Sequence, residues 1–191
     1  MAPQLAYKHY YAAEEYLALE ETSTERHELI HGEIYAMAGG TAAHASVGGN
    51  VFAALKSHLR GTPCQSFMAE MRLNVQASDA YFYPDVFVTC GAEQRAEQQA
   101  KTDALLVVEV LSPSTAAFDR GAKFGHYRLL PSLNEYLIID IETRTADLYR
   151  KAENNTWVLH PYSGNDVVEL ASVGLSLALG PVIFEDIDAA L

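Results

Sequence analysis

Residues 105–140, LLVVEVLSPSTAAFDRGAKFGHYRLLPSLNEYLIID, place an apolar run, a helix-length segment and a second apolar run in direct succession. Strands joined by such a connection lie parallel, and the crossover between them is right-handed. Parallel strands are covered on both faces, so this segment calls for a sheet with helices packed against it. One residue does not fit. Glu109 interrupts six aliphatic residues that otherwise read as a buried strand. The anomaly also occurs upstream in YFYPDVFVTCG, residues 81–91, where Asp85 follows Pro84 in an apolar, strand-like run. An ionised carboxylate removed from water must be protonated, paired with a cation or bound to a metal.

The 191 residues suit one domain, 1–191, with no repeat, linker or low-complexity segment to divide it. RHELIHGEIYAMAGG predicts a hairpin that turns at His31-Gly32, with Glu33 opening its second strand. Apolar spacing predicts helices over His9–Glu21 and His44–Leu59. CQSFMAEMRLNVQ and YFYPDVFVTCG are expected as two antiparallel strands joined by ASDA. Pro84, which has no backbone donor, places its position at an edge, a strand start or a bulge. AEQRAEQQAKTD is a polar loop or exposed helix, SPST caps the crossover helix that ends at Pro131, and the C-terminal runs alternate as further strands. The fold class is therefore α/β, a mixed sheet flanked by helices with additional C-terminal strands.

Thirteen Lys and Arg against twenty-five Asp and Glu leave a net charge of -12, which argues against broad, non-specific binding of polyanions. Two cysteines, Cys64 and Cys90, give no disulfide framework; they are expected as small buried hydrophobes in a reducing cytoplasm. The N-terminal segment lacks a signal peptide's apolar run, and no stretch reaches membrane-helix length, so a soluble, cytoplasmic protein with no membrane partner is expected.

Asp85 after Pro84, followed by Glu109 on a buried strand, resembles the PD-(D/E)-X-K nuclease superfamily. The runs RHELIHGEIYAMAGG, YPDVFVTCG, VVEVLSPST, DRGAKFGHYRLLPSLNEYLIID and GLSLAL, in this order, are similar to its restriction-endonuclease branch of the Uma-two type. The resemblance implies a restriction-endonuclease-like fold and a Mg²⁺-dependent endonuclease (Mn²⁺ an alternative) that hydrolyses phosphodiester bonds in DNA, with a homodimer as its working form. Asp85 and Glu109 would be the metal ligands. The superfamily's lysine lies two residues after the acid, a position held here by Leu111, so Lys123 on the crossover helix is the expected substitute. Glu33 is the candidate for an additional N-terminal acid. His44 is a candidate phosphate contact or partner of a metal-bound water, and Arg120 and Arg128 are candidate phosphate contacts.

The residue types suit that chemistry. A phosphodiester is already anionic and gains charge on its oxygens during attack, so hydrolysis needs cations beside it. Two carboxylates can hold Mg²⁺, which favours oxygen ligands and keeps several waters. Two other classes remain open on the same residues. One is a catalytically inactive nuclease fold that binds nucleic acid or serves assembly, and the other is a small-molecule phosphodiesterase.

Overall fold

A computed structural model of the chain describes residues 10–37, 39–91, 99–185 and 187. In chain order its principal elements are α1 (Ala13–Thr22), β1 (His27–Ile30), β2 (Glu33–Ala36), α2 (Ala42–His58), β3 (Gln65–Met68), β4 (Arg72–Val75), β5 (Ala80–Phe82), β6 (Val86–Thr89), β7 (Ala100–Lys101) and β8 (Leu106–Val110). The crossover follows as α3 (Ala116–Phe118), a π-helical turn (Asp119–Lys123) and α4 (Phe124–Tyr127). The chain then forms β9 (Glu135–Asp140), β10 (Thr145–Lys151), β11 (Trp157–Ser163), β12 (Val167–Leu170) and β13 (Leu175–Ala178). The strands form three sheets, ordered β2-β1-β5-β4-β7, β11-β10-β9-β8-β6-β3 and β12-β13.

The crossover has the expected topology: β8 and β9 are parallel, with Leu106 opposite Glu135 and Val110 opposite Ile139. The two long apolar runs depart from expectation. Each breaks in its middle and gives one strand to each large sheet. β4 and β5 pair in the five-stranded sheet, whereas β3 and β6 pair in the six-stranded one. Pro84 causes one of the breaks because it cannot donate to a ladder. Asp85 consequently sits at the bend between sheets rather than inside a strand.

Alternation along β8 fixes which way its acid points. Leu106, Val108 and Val110 face α2, where Val47, Val51 and Leu55 meet them in one core. Val107 and Leu111 join Phe82, Tyr127 and Tyr136 in a second core beneath the crossover. Glu109 shares their side of the strand and is aimed at the crossover helix.

Three further expectations change. α1 starts at Ala13 because Tyr11 donates to the Gly32 carbonyl (2.8 Å), which holds the preceding segment extended; His9 lies outside the described residues. α2 begins earlier than His44, since Thr41 accepts the His44 N–H and caps the helix. Cys64 and Cys90 are not separate thiols. They form a disulfide across β3 and β6, just beyond the Gln65–Thr89 pair. At the β1–β2 turn, His31 (φ 51°) and Gly32 (φ 82°) are both left-handed, the backbone that a tight two-residue hairpin requires. Residues 92–98 of the polar AEQRAEQQAKTD stretch lie outside the described residues; Ala100 and Lys101 of that stretch form β7, parallel to β4. Among the described residues no helix is long and apolar enough to cross a membrane.

Candidate active site

The six-stranded sheet's ladder between β6 and β8 ends at the Val86–Val108 pair, where the chain bends at Pro84. Beyond it the carboxylate of Asp85 takes over as acceptor: its Oδ2 receives the Val110 N–H at 2.7 Å. In return the Asp85 N–H points at Glu109 Oε2, 3.4 Å away. The two acids, 24 residues apart in sequence, are thus tied together through each other's strands.

The crossover brings the cation. Lys123 Nζ lies 3.0 Å from Glu109 Oε1, 3.0 Å from Glu28 Oε1 and 3.7 Å from Asp119 Oδ1. All four side chains are buried. Tyr127 donates to Glu109 Oε1 at 2.8 Å, and the Tyr83 N–H faces Glu28 Oε1 at 3.4 Å. The π-helical turn widens the backbone between Asp119 and Lys123, and Tyr136 donates to the Asp119 carbonyl at 2.9 Å. On the far side His44 Nε2 lies 3.4 Å from Asp85 Oδ2. Glu28, His44, Asp85, Glu109, Asp119 and Lys123 all line a single cleft of about 400 Å³.

The predicted site residues fare differently. Asp85, Glu109, Lys123 and His44 meet in the cleft. Glu33 does not line it. Its carboxylate accepts from Tyr35 (2.6 Å); Glu33 pairs with Ile30, whereas Glu28 pairs with Tyr35, two pairs further along the ladder. Glu28 is therefore the N-terminal acid at the site. Arg120 turns away to Asp147 and Asp140, and Arg128 lies over the Phe124 ring, so neither reaches the cleft. Ser112 hydrogen-bonds the hydroxyls of Ser114 and Thr115 instead of capping a helix N–H. Glu28, Asp119 and Tyr127 were missed by sequence reasoning. One signal was present for Asp119, which stands four residues before Lys123 on the same helical face.

Three carboxylates (Glu28, Glu109, Asp119) enclose one permanent cation, and a fourth, Asp85, lines the same cleft. Burial raises the pKa of Glu28 and pushes that of Glu109 well above the ordinary value of 4.5, although the Lys123 ammonium opposes both shifts. Burial alone would lower Lys123, but Glu109, Glu28 and Asp119 outweigh it and hold the ammonium well above its usual range. The hydrogen bond to Asp85 raises His44. The cluster is short of positive charge.

That shortage and the hard oxygen donors suit a divalent ion. Among the described residues no three His, Cys, Asp or Glu side chains converge as ligands, yet Mg²⁺ commonly takes one or two carboxylates and fills its remaining positions with water. The adjacent Asp85 and Glu109 meet that requirement.

A stability consequence follows from Glu109. Its folded pKa is raised, so its favourable contribution is present at low pH and is lost as pH rises through the folded value. Glu109→Gln keeps an acceptor for Tyr127 and removes the buried charge. Because Lys123 keeps Glu28 and Asp119 as partners, metal-free Glu109→Gln is expected to be more stable than wild type at pH 8, with the gain vanishing toward pH 5. Urea titrations at both pH values measure this, and a variant less stable than wild type at pH 8 would contradict it.

A family model, Uma2, described as "Putative restriction endonuclease", matches residues 13–180. Two proteins of Synechocystis sp. (strain PCC 6803 / Kazusa) are similar to the chain. Uncharacterized protein slr1290 is 40% identical over 166 residues, covering 87% of each chain. Uncharacterized protein sll1609 is 38% identical over 156 residues, covering 81% of this chain and 88% of its own. The crystal structure of "a putative nuclease belonging to DUF820" from Anabaena variabilis ATCC 29413 superposes with a TM-score of 0.75 at 18% identity, covering 89% of this chain and 96% of that one. That likeness shows that the two chains share a fold. With 40% identity to a relative along most of its length and the family model spanning residues 13–180, the chain belongs to the Uma2 family.

Proposed function

We propose that this chain is a Mg²⁺-dependent endonuclease that hydrolyses phosphodiester bonds in DNA, with Asp85 and Glu109 as metal ligands and Lys123 as the catalytic ammonium. One observation carries the reading: Lys123 stands 3.0 Å from Glu109, and Glu109 is in turn joined to Asp85 at the mouth of one cleft. When bound, the divalent ion supplies positive charge to the attacked phosphate and lowers the pKa of water. The chain's own groups do the rest.

Lys123 remains protonated, since three carboxylates hold its pKa up, so it orients the attacking water and offsets charge on the phosphate rather than removing a proton. Glu28, raised by burial, is the better proton acceptor and takes the proton of that water. His44, raised by Asp85, donates to a phosphate oxygen. The positive end of α2 opens on the same cleft through Gly39, Gly40 and His44, which favours an anion there. Tyr127 fixes the orientation of Glu109 through its 2.8 Å hydrogen bond.

The test is cleavage of supercoiled plasmid and of oligonucleotides in Mg²⁺ or Mn²⁺. Asp85→Ala is expected to reduce the rate by about 10²-fold or more, while Arg128→Ala, away from the cleft, leaves it unchanged. A homodimer belongs to this reading, and light scattering measures it. Absence of cleavage of any DNA or RNA would remove the nuclease reading. Hydrolysis of bis-p-nitrophenyl phosphate with plasmid, single-stranded oligonucleotides and RNA all untouched would replace it by the small-molecule phosphodiesterase.

A further inference from the structure

The acids occupy only part of the cleft. Tyr35, Met37 and Phe118 line it too, and each is placed by the same elements that place an acid. Tyr35 is directly opposite Glu28 across the β1–β2 ladder, and Phe118 immediately precedes Asp119. Tyr35 and Met37 belong to none of the apolar cores, and Met37 is 37% exposed. Phe118 rests against the second core and still lines the opening. Between them Gly39 and Gly40 contribute no side chain, and a Cβ on Gly39 would meet nothing within 4 Å. The metal-binding and proton-transfer chemistry uses none of these three apolar side chains.

The cations tell a complementary story. Among the described lining residues the basic ones are Lys123, enclosed by three carboxylates, and His44, beside Asp85. Arg120 and Arg128 are held elsewhere, and the chain carries a net charge of -12. Holding a duplex along its backbone takes several Lys or Arg contacts to phosphates, and this cleft does not offer them. Single strands can be held another way, because stacking of an unpaired base on an aromatic ring strengthens binding by roughly tenfold or more per base. A volume of about 400 Å³ suits a small ligand rather than a double helix.

We infer that the cleft receives one unpaired nucleotide at a time, with its base against Tyr35, Met37 and Phe118 and its phosphate toward Asp85, Glu109 and Lys123. Single-stranded nucleic acid, or a frayed or extruded nucleotide, is the form it takes. This inference rests on the nuclease reading for its substrate class and adds the strand state.

The experiment uses the full chain in Ca²⁺ with a 12-nucleotide strand carrying 2-aminopurine, alone or annealed to its complement. Anisotropy reads affinity, and quenching of the 2-aminopurine reads stacking. The single strand is expected to bind at least tenfold more tightly than the duplex and to be quenched. Phe118→Leu, which keeps apolar bulk and removes the ring, is expected to weaken single-strand binding by about fivefold to tenfold and to relieve the quenching. Tyr35→Leu is expected to act in the same direction, and thermal melting verifies that both variants fold. Equal or tighter duplex binding, binding without quenching, no binding of either form, or two ring-deleting variants without effect would each overturn the inference. Quenched binding without hydrolysis in Mg²⁺ or Mn²⁺ would reject the nuclease reading and leave the base subsite standing. Cleavage of duplex as fast as single strand would do the reverse.

Discussion

Lys123→Met is expected to abolish hydrolysis and to destabilise the folded protein by about 3–5 kcal/mol near pH 8, the usual result of stripping one partner from a buried ion pair. Methionine fills much the same volume, so the loss reports charge rather than a cavity. Without the ammonium, Glu28 and Glu109 face each other across the space where Nζ stood 3.0 Å from both. Burial already raises these two acids, and removing the cation that opposes the shift raises them further. The folded variant therefore binds protons that the unfolded chain releases at its ordinary carboxylate pKa. Its stability falls as pH rises, and the deficit shrinks as pH is lowered toward 5. Urea titrations at pH 5.5 and 8 measure the difference. An equal deficit at both values would show that Lys123 is not the counter-charge of this cluster. Lys56→Met, on the exposed face of α2, is the control and is expected to stay within about 0.5 kcal/mol of wild type.

What the sequence made legible is the part of the site that depends on local pattern. Glu109 stands out because a charged residue in a parallel strand has no solvent to face, and the strand-helix-strand order alone carries Lys123 back over it. Asp85 was conspicuous for the same reason, but its position was not. The run around Pro84 reads as one strand, and only the packing of two sheets shows that it bends there and that the carboxylate completes a broken ladder at Val110. Glu28 and Glu33 illustrate the limit. Both lie in the same hairpin and on the same side of it, and which acid reaches the lysine depends on where the hairpin sits on β5, through the Leu29–Tyr81 pair, a long-range register that periodicity does not encode. Arg120 and Arg128 were plausible phosphate contacts because cations are scarce here. Their actual partners, Asp140, Asp147 and the Phe124 ring, lie on elements or faces that the helical pattern alone does not specify.

The cysteine pair carries the second large effect. Cys64 and Cys90 close a loop with a sequence separation of 26, for which chain entropy gives about 3.5 kcal/mol of stabilisation. β3, which the bond fastens, is the edge strand of the six-stranded sheet and pairs with β6 alone, so its hold on the sheet is otherwise a four-pair ladder, the Ala69 N–H on the Asp85 carbonyl (3.3 Å) and packing against α2. Reduction with dithiothreitol, or the double change Cys64→Ser and Cys90→Ser, is expected to lower the urea midpoint accordingly and to expose β3 to proteolysis first. Catalysis should survive at temperatures where the variant remains folded. The bond joins one end of β6, whereas Asp85 stands at the other, where β8 holds it through the Val110 N–H and the Val86–Val108 pair. A reduced protein with an unchanged midpoint would contradict the stabilising role of the bond. Loss of activity in parallel with the bond, without loss of folded protein, would show that β3 reaches further into the site than the ladder implies.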